Sequence, residues 1–249
     1  MKIWLNLFHE TFVTSIDYFV MSSSGGGNDF GDLIEASNAF GGLSNDTRGI
    51  YGGAYPSYNG VLSSVIIATT GSASSFGSLI AGSVASTGGI NSPTRGIFSG
   101  LEVSPVLGGS GTSVIRTEFV TILSTGNSQE FGDLSVGRNA NAGCSSSTRG
   151  LSMGGLTPSL SDVIDFCTIA TLGDFIDFGN LTAAKYAIAN GVNSFPTTSY
   201  AVASSAVNGT CTAAPAGLTC LNDAAAGRFN DLFNSNTNCH AFAASSKLI

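Results

Sequence analysis

The chain has 249 residues and a formal net charge of −7, and 10% of its residues are charged while 43% are hydrophobic. Average globular proteins carry about 25% charged residues, so the surface must be neutral and rich in hydroxyl groups, while the apolar content excludes disorder. Nine lysines and arginines offer no basic stripe for phosphates, so we exclude nucleic acid as a partner.

The opening segment and the cysteines narrow the class of protein further. No run approaches 18 consecutive apolar residues, so we expect no membrane span. Asn6 interrupts the short apolar stretch at the start and no small-residue cleavage site follows, so we expect no secretory signal. The five cysteines include no C-x-x-C pair, which argues against a zinc or redox site. Cys211 and Cys220 are the one pair close enough in sequence for a local disulfide, and the sequence leaves that bond open.

The strongest signal is an internal repeat. The motif Phe-Gly-x-Leu occurs four times at similar spacing, with a longer second step, and its phenylalanines are Phe30, Phe76, Phe131 and Phe178. At one fixed distance before each phenylalanine stands a glycine, namely Gly25, Gly71, Gly126 and Gly173. A β-type apolar run precedes each of these glycines. The agreement of several linked positions in every copy excludes a chance similarity.

A second motif, Thr-Arg-Gly, follows the first three phenylalanines at a nearly constant distance and contains Arg48, Arg95 and Arg149. In the fourth copy the segment 196–199 replaces it. We therefore predict one domain, 1–249, with an N-terminal extension at 1–12. Its repeat units lie near 13–38, 39–83, 84–138 and 139–185, and a degenerate unit lies near 186–249.

Each unit contains four short apolar runs separated by Gly, Asn, Ser and Asp turns. In the unit 84–138 the predicted strands are Val84–Ile90, Arg95–Val103, Val114–Leu123 and Glu130–Ser135. The third run is nearly continuously apolar, so both of its faces should be buried. A period of about 47 residues with four strands is typical of a β-propeller. We expect an all-β fold, a small propeller of about five four-stranded blades.

The phase of the repeat predicts how the two chain ends meet. The chain begins at a third-strand element and ends in what resemble first and second strands. Strands near Val13–Leu33 should therefore pair with the segment Asn236–Ser245 and close the ring. The alternative is that the C-terminal segment 210–249 is an arm that docks on a neighbouring subunit.

The order of elements within a unit resembles the kelch blade. An apolar strand, a glycine doublet (Gly154-Gly155), a second apolar strand, an aromatic-plus-Leu strand and a basic residue (Arg138, Lys185) follow one another. Phenylalanine stands where kelch has tryptophan. The phrases Phe-Gly-Asp-Leu, Ser-Ser-Ser-Thr-Arg-Gly and Val-Ile-Asp-Phe resemble kelch-like repeats in virion structural proteins of tailed phages that infect cyanobacteria. This resemblance implies a tail, fibre or capsid-surface protein.

The candidate site residues follow the repeat and do not form a catalytic constellation. Phe30, Phe76, Phe131 and Phe178 are predicted to be equivalent core residues, one in each blade. The arginines Arg48, Arg95 and Arg149 either hold a neighbouring strand or form a rim that contacts an acidic partner or a glycan.

We predict no catalytic, metal or cofactor site. Ser152 lies in a G-x-S-x-G pattern, but its register equivalents are Tyr51 and Phe98, so a strand and not a nucleophile elbow is expected. The acids that flank each Phe-Gly are assigned to capping of backbone N–H groups and not to calcium.

Two functions follow. The first is a non-enzymatic virion component for assembly or host attachment, whose partners are other virion subunits in an oligomer and host-surface glycans. The second is a secreted adhesin, lectin-like protein or extracellular filament subunit. The first places the chain in the virion and the second places it outside the cell.

Overall fold

The computed structural model describes residues 2–6, 13–20, 26–37, 41–52, 59–80, 84–85, 88–103, 112–186 and 240–243. Every regular element in these ranges is a β-strand, which confirms the predicted all-β class. No helix in this part of the chain is long and apolar enough to cross a bilayer. The strands are β1 (Lys2–Asn6), β2 (Val13–Val20), β3 (Asn28–Ser37), β4 (Gly41–Ser44), β5 (Arg48–Gly52), β6 (Val61–Ile66), β7 (Ser74–Ser78), β8 (Val84–Ala85), β9 (Gly88–Asn91), β10 (Arg95–Ser99), β11 (Glu102–Val103), β12 (Thr112–Ser113), β13 (Arg116–Thr121), β14 (Gln129–Asp133), β15 (Ala142–Ser145), β16 (Arg149–Met153), β17 (Leu156–Thr157), β18 (Ser159–Leu160), β19 (Val163–Thr168), β20 (Ile176–Asn180) and β21 (His240–Ala243).

Sixteen of these strands form four antiparallel sheets of four strands each. Sheet 1 has the order β21-β1-β2-β3, sheet 2 is β4-β5-β6-β7, sheet 3 is β9-β10-β13-β14 and sheet 4 is β15-β16-β19-β20. The first strands of successive sheets contact one another, β21 with β4, β4 with β9, and β9 with β15. The sheets therefore follow one another in space in the order of the repeat.

A capped turn joins the first and second strands of sheets 2, 3 and 4. In sheet 2 the Asn45 Oδ1 atom accepts hydrogen bonds from the backbone N–H groups of Thr47 and Arg48, both at 2.9 Å. Ser92 and Ser146 accept the corresponding bonds through Oγ in sheets 3 and 4. Because short polar side chains satisfy turn N–H groups in this way, the residue two positions before the Thr-Arg-Gly motif fixes the hairpin.

The first strand is the most buried element of sheets 2, 3 and 4, because all four residues of β4, β9 and β15 are buried. The third strand was predicted to be buried on both faces, and this is confirmed in sheets 2 and 3, whereas in sheet 4 only Asp165 and Cys167 of β19 are buried. In β6 and β13 four consecutive residues are buried, so both faces of these strands are covered. The pairing of the third strand with the fourth shifts register at one equivalent position in every sheet, between Leu62 and Ser63 in sheet 2. Such a β-bulge bends the strand and increases its twist.

Two predicted strands of the unit 84–138 are divided in the structure. The predicted strand Val84–Ile90 is split into β8 and β9, and Arg95–Val103 is split into β10 and β11. The short strands β8, β11 and β12 form a separate sheet. Gly100 ends β10 with a φ of 69°, and a Cβ atom there would collide with the Asn141 side chain.

The two ends of the described chain share sheet 1. Strand β21 pairs with β1 in antiparallel register, with Ile3 opposite Ala243, and β1 pairs with β2. A sheet shared by the two ends was predicted, but the predicted pairing of strands was wrong. Strand β21 pairs with β1 and not with a strand in Val13–Leu33. The segment Lys2–Asn6, expected in an extension, is instead the second strand of the sheet, and β21 alone supplies the first strand. Most of the predicted fifth unit, including Cys211 and Cys220, lies outside the described residues.

Candidate functional site

The repeated motifs converge at the junctions between successive sheets. Three of the four motif phenylalanines, Phe30, Phe76 and Phe131, are only 2–3% exposed and pack in clusters that combine residues of two neighbouring sheets. At the junction of sheets 3 and 4, Phe131 makes edge-to-face contacts with Phe119 of its own sheet and Phe175 of the next, at centroid distances of 6.2 and 5.9 Å. Such aromatic contacts add stability beyond the area that they bury.

The fourth motif phenylalanine corrects the prediction of four equivalent core residues. Phe178 is 53% exposed, although it keeps its edge-to-face contact with Phe166, at 6.0 Å between ring centroids. Its equivalents are covered by the following sheet. None of the described residues covers this face of sheet 4 in the same way.

The glycines of the repeat meet across each junction. The carbonyl oxygens of Phe30, Phe76 and Phe131 accept hydrogen bonds of 2.7–3.0 Å from the N–H groups of Gly71, Gly126 and Gly173 in the next sheet. A Cβ atom on the motif glycine, for example Gly77, would collide with the carbonyl group of that partner glycine. The glycine that precedes one motif phenylalanine is therefore the docking partner of the phenylalanine in the preceding unit, which explains why the two motifs recur together.

Gly77 and Gly126 provide a matched pair of substitutions at one junction. We expect Gly77→Ala to lower the free energy of unfolding by about 1–3 kcal/mol or more, because the new methyl group must push two backbones apart. Gly126→Ala should have a much smaller effect, since its Cβ would have nothing within 4 Å. Urea denaturation of both variants measures the difference. Equal losses of stability would contradict the close backbone approach.

The repeated arginines connect one sheet to the next. The Arg48 Nη1 atom donates to the carbonyl oxygen of Ile122 at 3.0 Å, and Arg95 Nη1 donates to that of Ile169 at 2.8 Å. In both cases the acceptor lies 74 residues further along the chain, in the residue that directly follows the third strand of the next sheet. The guanidinium groups of Arg48, Arg95 and Arg149 also lie over aromatic rings, those of Phe76, Phe119 and Phe166, at 4.6–5.6 Å from the ring centroids. Arg48 and Arg95 thus hold a neighbouring sheet, which is the first of the two roles considered for these arginines. Arg149 is exposed, and among the described residues its guanidinium group contacts only the Phe166 ring.

We expect Arg95→Lys to lower the free energy of unfolding by about 1–2 kcal/mol at unchanged net charge. A lysine cannot stack a planar group on Phe119 while it donates to the Ile169 carbonyl. The midpoint of urea denaturation is the measurement. If the midpoint does not move, the arginine does not fasten the sheets, and the alternative of a rim that contacts a partner is favoured.

Two buried acids at the third-strand bulges form a further set of junction contacts. The Glu118 carboxylate accepts hydrogen bonds from the Ile80 N–H at 2.8 Å and from Ser128 Oγ at 2.6 Å, and it pairs with Arg116. Ile80 belongs to the preceding sheet's unit, directly after its Phe-Gly-x-Leu motif. This role was not predicted from the sequence. The signal was an acid in the middle of a third strand, next to the apolar residues Phe119 and Val120.

Asp165 occupies the corresponding position in sheet 4. Its carboxylate accepts hydrogen bonds from the N–H and Oγ of Ser135, at 3.2 and 2.7 Å, and forms an ion pair with Arg138 at 2.8 Å. Both partners of this pair are fully buried. Burial lowers the pKa of Arg138, while Asp165 acts in the opposite direction. Among the described residues the Nε and Nη1 atoms of Arg138 have no hydrogen-bond partner.

Ser152 lies in the middle of β16, a strand, as its register with Tyr51 and Phe98 predicted. Its Oγ atom accepts hydrogen bonds from Arg138 Nη2 at 3.2 Å and from Asn141 Nδ2 at 2.6 Å. The side chain is completely buried. These contacts give Ser152 a structural role beside the buried ion pair.

The two cysteines of the described chain are buried, and two of its aspartates accept hydrogen bonds from the backbone. Burial raises the pKa of the Cys144 thiol to about 11 and that of Cys167 to about 12, and both cysteines are free. The Asp177 carboxylate accepts a hydrogen bond of 3.0 Å from the Gly179 N–H, which is the capping role predicted for acids that flank the Phe-Gly motif. The Asp174 carboxylate accepts one of the same length from the Asp133 N–H of the preceding unit. Within the described ranges no three His, Cys, Asp or Glu side chains lie close enough together to hold a metal ion.

Comparison with known proteins assigns no family to the chain. No protein-family model matches it, and no curated protein matches it.

Proposed function

We propose that the chain is a kelch-like β-propeller of about five four-stranded blades that serves as a non-enzymatic structural component of a virion. Three features support the propeller. The sheets have four antiparallel strands, the first strands of successive sheets lie side by side, and the N- and C-terminal strands share one sheet. Propellers leave only short, protected strand edges, and a shared terminal sheet is a direct way to achieve this.

The observation that carries the functional proposal is the use of reactive side chains as links between sheets. Arg48 and Arg95 donate to carbonyl oxygens of the next sheet, and Glu118 and Asp165 hold the backbone of the preceding one. The Ser152 Oγ atom accepts a hydrogen bond from Arg138 of the buried ion pair. A protein whose charged groups are used in this way is suited to a rigid scaffold and not to general acid–base chemistry.

The resemblance of the repeat to virion proteins of tailed phages supports a location of this scaffold in the virion. There the chain is a tail, fibre or capsid-surface component that contacts other virion subunits or a host-surface glycan. The neutral, hydroxyl-rich surface suits such contacts. Exposed Thr69, Thr70, Ser124 and Thr125 at the tips of the hairpins between third and fourth strands are an example.

Mass spectrometry of purified phage particles tests the proposal. We expect peptides of this chain to copurify with the particles in a constant ratio to the major capsid protein after density-gradient purification. Recovery of the chain only from culture supernatant or from the cell surface would contradict the virion assignment. That result would favour the secreted adhesin or filament subunit, for which the same hydroxyl-rich surface is suited.

A further inference from the structure

Asn59 lies in the turn that leads into the third strand of sheet 2. Its Oδ1 atom accepts a hydrogen bond from the Val61 N–H at 3.1 Å. Before the third strand of sheet 4, Ser161 Oγ accepts the corresponding bond from the Val163 N–H at 3.2 Å. Short polar side chains stabilise turns in this way. The turn therefore requires only an acceptor oxygen at this position, and a serine supplies one as an asparagine does.

The amide group of Asn59 makes a second contact, which connects sheet 2 to sheet 1. Its Nδ2 atom donates a hydrogen bond to Glu35 Oε2 at 2.7 Å, and Glu35 belongs to β3. The Glu35 side chain is exposed and Asn59 is only partly buried, so water reaches both. Because a carboxylate faces residue 59, the charge of that residue decides whether the two side chains attract or repel each other.

The residue after Asn59 is a glycine with a left-handed backbone conformation. Gly60 has a φ of 65°, and its carbonyl oxygen accepts a hydrogen bond from the Leu79 N–H at 2.8 Å. The residues that accept the equivalent bond in sheets 3 and 4 are Ile115 and Asp162, so sheet 2 alone of these three has an Asn-Gly pair in this turn. Among the described residues the Gly60 N–H has no acceptor. Since glycine has no Cβ atom, its backbone nitrogen can be approached closely.

An asparagine followed by an accessible backbone nitrogen can convert itself into an aspartate. In the first step the Gly60 nitrogen attacks the Asn59 Cγ atom, and the new bond closes a succinimide ring. The bond between Cγ and Nδ2 breaks, and Nδ2 leaves as ammonia with the proton that the Gly60 nitrogen gives up. A water molecule then opens the ring at one of its two carbonyl carbons. The product at position 59 is aspartate or isoaspartate, according to which carbonyl carbon reacts.

The fold supports the first step through the Val61 N–H. When the Gly60 nitrogen attacks, negative charge develops on the Asn59 Oδ1 atom, which already accepts the Val61 hydrogen bond. A backbone donor that is fixed at a developing oxyanion stabilises such an intermediate. The same bond keeps the side chain beside the backbone of the residues that follow it, which reduces the entropy lost on ring closure.

We propose that Asn59 is a site of self-modification, at which the folded chain forms a succinimide with Gly60 and so places a new carboxylate opposite Glu35. The reaction removes the amide that donates to Glu35, and it replaces an attractive contact between sheets 1 and 2 by a repulsive one. The change is irreversible, because ammonia leaves. This inference does not depend on a location of the chain in the virion.

Peptide mapping by mass spectrometry tests the reaction in the full chain, kept folded at mildly alkaline pH. We expect Asn59 to be converted roughly tenfold faster than Asn45 and Asn127, with both aspartate and isoaspartate as products. Equal rates at the three positions, or aspartate as the sole product, would overturn the proposal. The same mapping in urea tests the contribution of the turn. Conversion of Asn59 in urea but not in the folded chain would also overturn it, because the fold would then protect Asn59.

Two variants with a matched background test the consequence for the junction. Asn59→Asp carries the charge of the product, and Asn59→Ser keeps the turn in the form that Ser161 shows. At low salt Asn59→Asp should melt about 1–3 °C below Asn59→Ser, because its carboxylate faces Glu35. The difference should vanish at high salt and when Glu35→Gln is added to both variants. Equal melting temperatures at low salt, or a difference that Glu35→Gln leaves unchanged, would overturn the proposed repulsion between the two carboxylates.

Discussion

Phe131→Ala is expected to lower the free energy of unfolding by about 3–5 kcal/mol. The ring is 3% exposed and lies between Phe119 of its own sheet and Phe175 of the next sheet. Its removal loses the transfer free energy of the side chain, leaves a cavity and breaks two aromatic contacts. Urea denaturation followed by far-UV circular dichroism measures the change.

The control for this substitution is Leu123→Ala in the same sheet. Leu123 is 60% exposed, so its truncation should change the free energy of unfolding by about 0.5 kcal/mol or less. A loss of stability at Phe131 no greater than that at Leu123 would mean that the junction between sheets 3 and 4 does not contribute to the stability of the fold.

Asp165→Ala is expected to cost about 3–5 kcal/mol, because it leaves the fully buried Arg138 charge without its partner. The carboxylate also holds Ser135 N–H and Oγ, so the substitution removes the contact that the bulge makes with the preceding unit. Thermal and urea denaturation measure the change. Asp177→Ala is a suitable control, since this exposed carboxylate holds only the Gly179 N–H.

The double variant Arg138→Met/Asp165→Leu distinguishes the cost of an unpaired buried charge from the cost of the lost contacts of Asp165 with Ser135. Replacement of both charges by apolar side chains of similar volume avoids the unpaired charge, so the double variant should be more stable than Asp165→Ala alone. If the double variant is as unstable as the single one, the cost arises from the lost backbone contacts and not from the buried Arg138 charge.

The all-β class and the positions of most strands could be predicted because the information is local. Each apolar run, glycine and capped turn is contained within a single repeat unit, and the repeat allows one copy to be checked against another. The burial of the third strand in sheets 2 and 3 follows in the same way. The apolar residues around Val65 and Val120 are readable without knowledge of their neighbours.

Features that depend on the next sheet could not be predicted in this way. The sequence shows that Phe178 stands in the same motif as Phe131, but burial depends on what covers the face, and here the two differ. The partner of Arg95 is a backbone carbonyl 74 residues away, which carries no sequence signature. The acid of the bulge, Asp165, is a polar residue in an apolar strand, and only its contacts with Ser135 and Arg138 explain it.

The second strand of sheet 1 was missed for a different reason. Lys2–Asn6 lacks the Thr-Arg-Gly motif that marks β5, β10 and β16, so the repeat gives no sign of it. Its pairing with β21 joins the two ends of the described chain. Such a non-local contact is determined by the arrangement of the whole domain and not by either segment alone.

Deletion of Asn236–Ile249 tests most directly whether the shared sheet holds the domain together. The deletion removes β21, and Trp4, the one tryptophan of the chain, lies in the partner strand β1 and reports on sheet 1. Thermal unfolding should be followed in parallel by tryptophan fluorescence and by far-UV circular dichroism. We expect both signals to shift together to a lower melting temperature in one cooperative transition, because the sheets depend on each other through their junctions. A truncated chain whose circular dichroism melts like that of the full chain, with a change at Trp4 alone or at neither probe, would contradict the account.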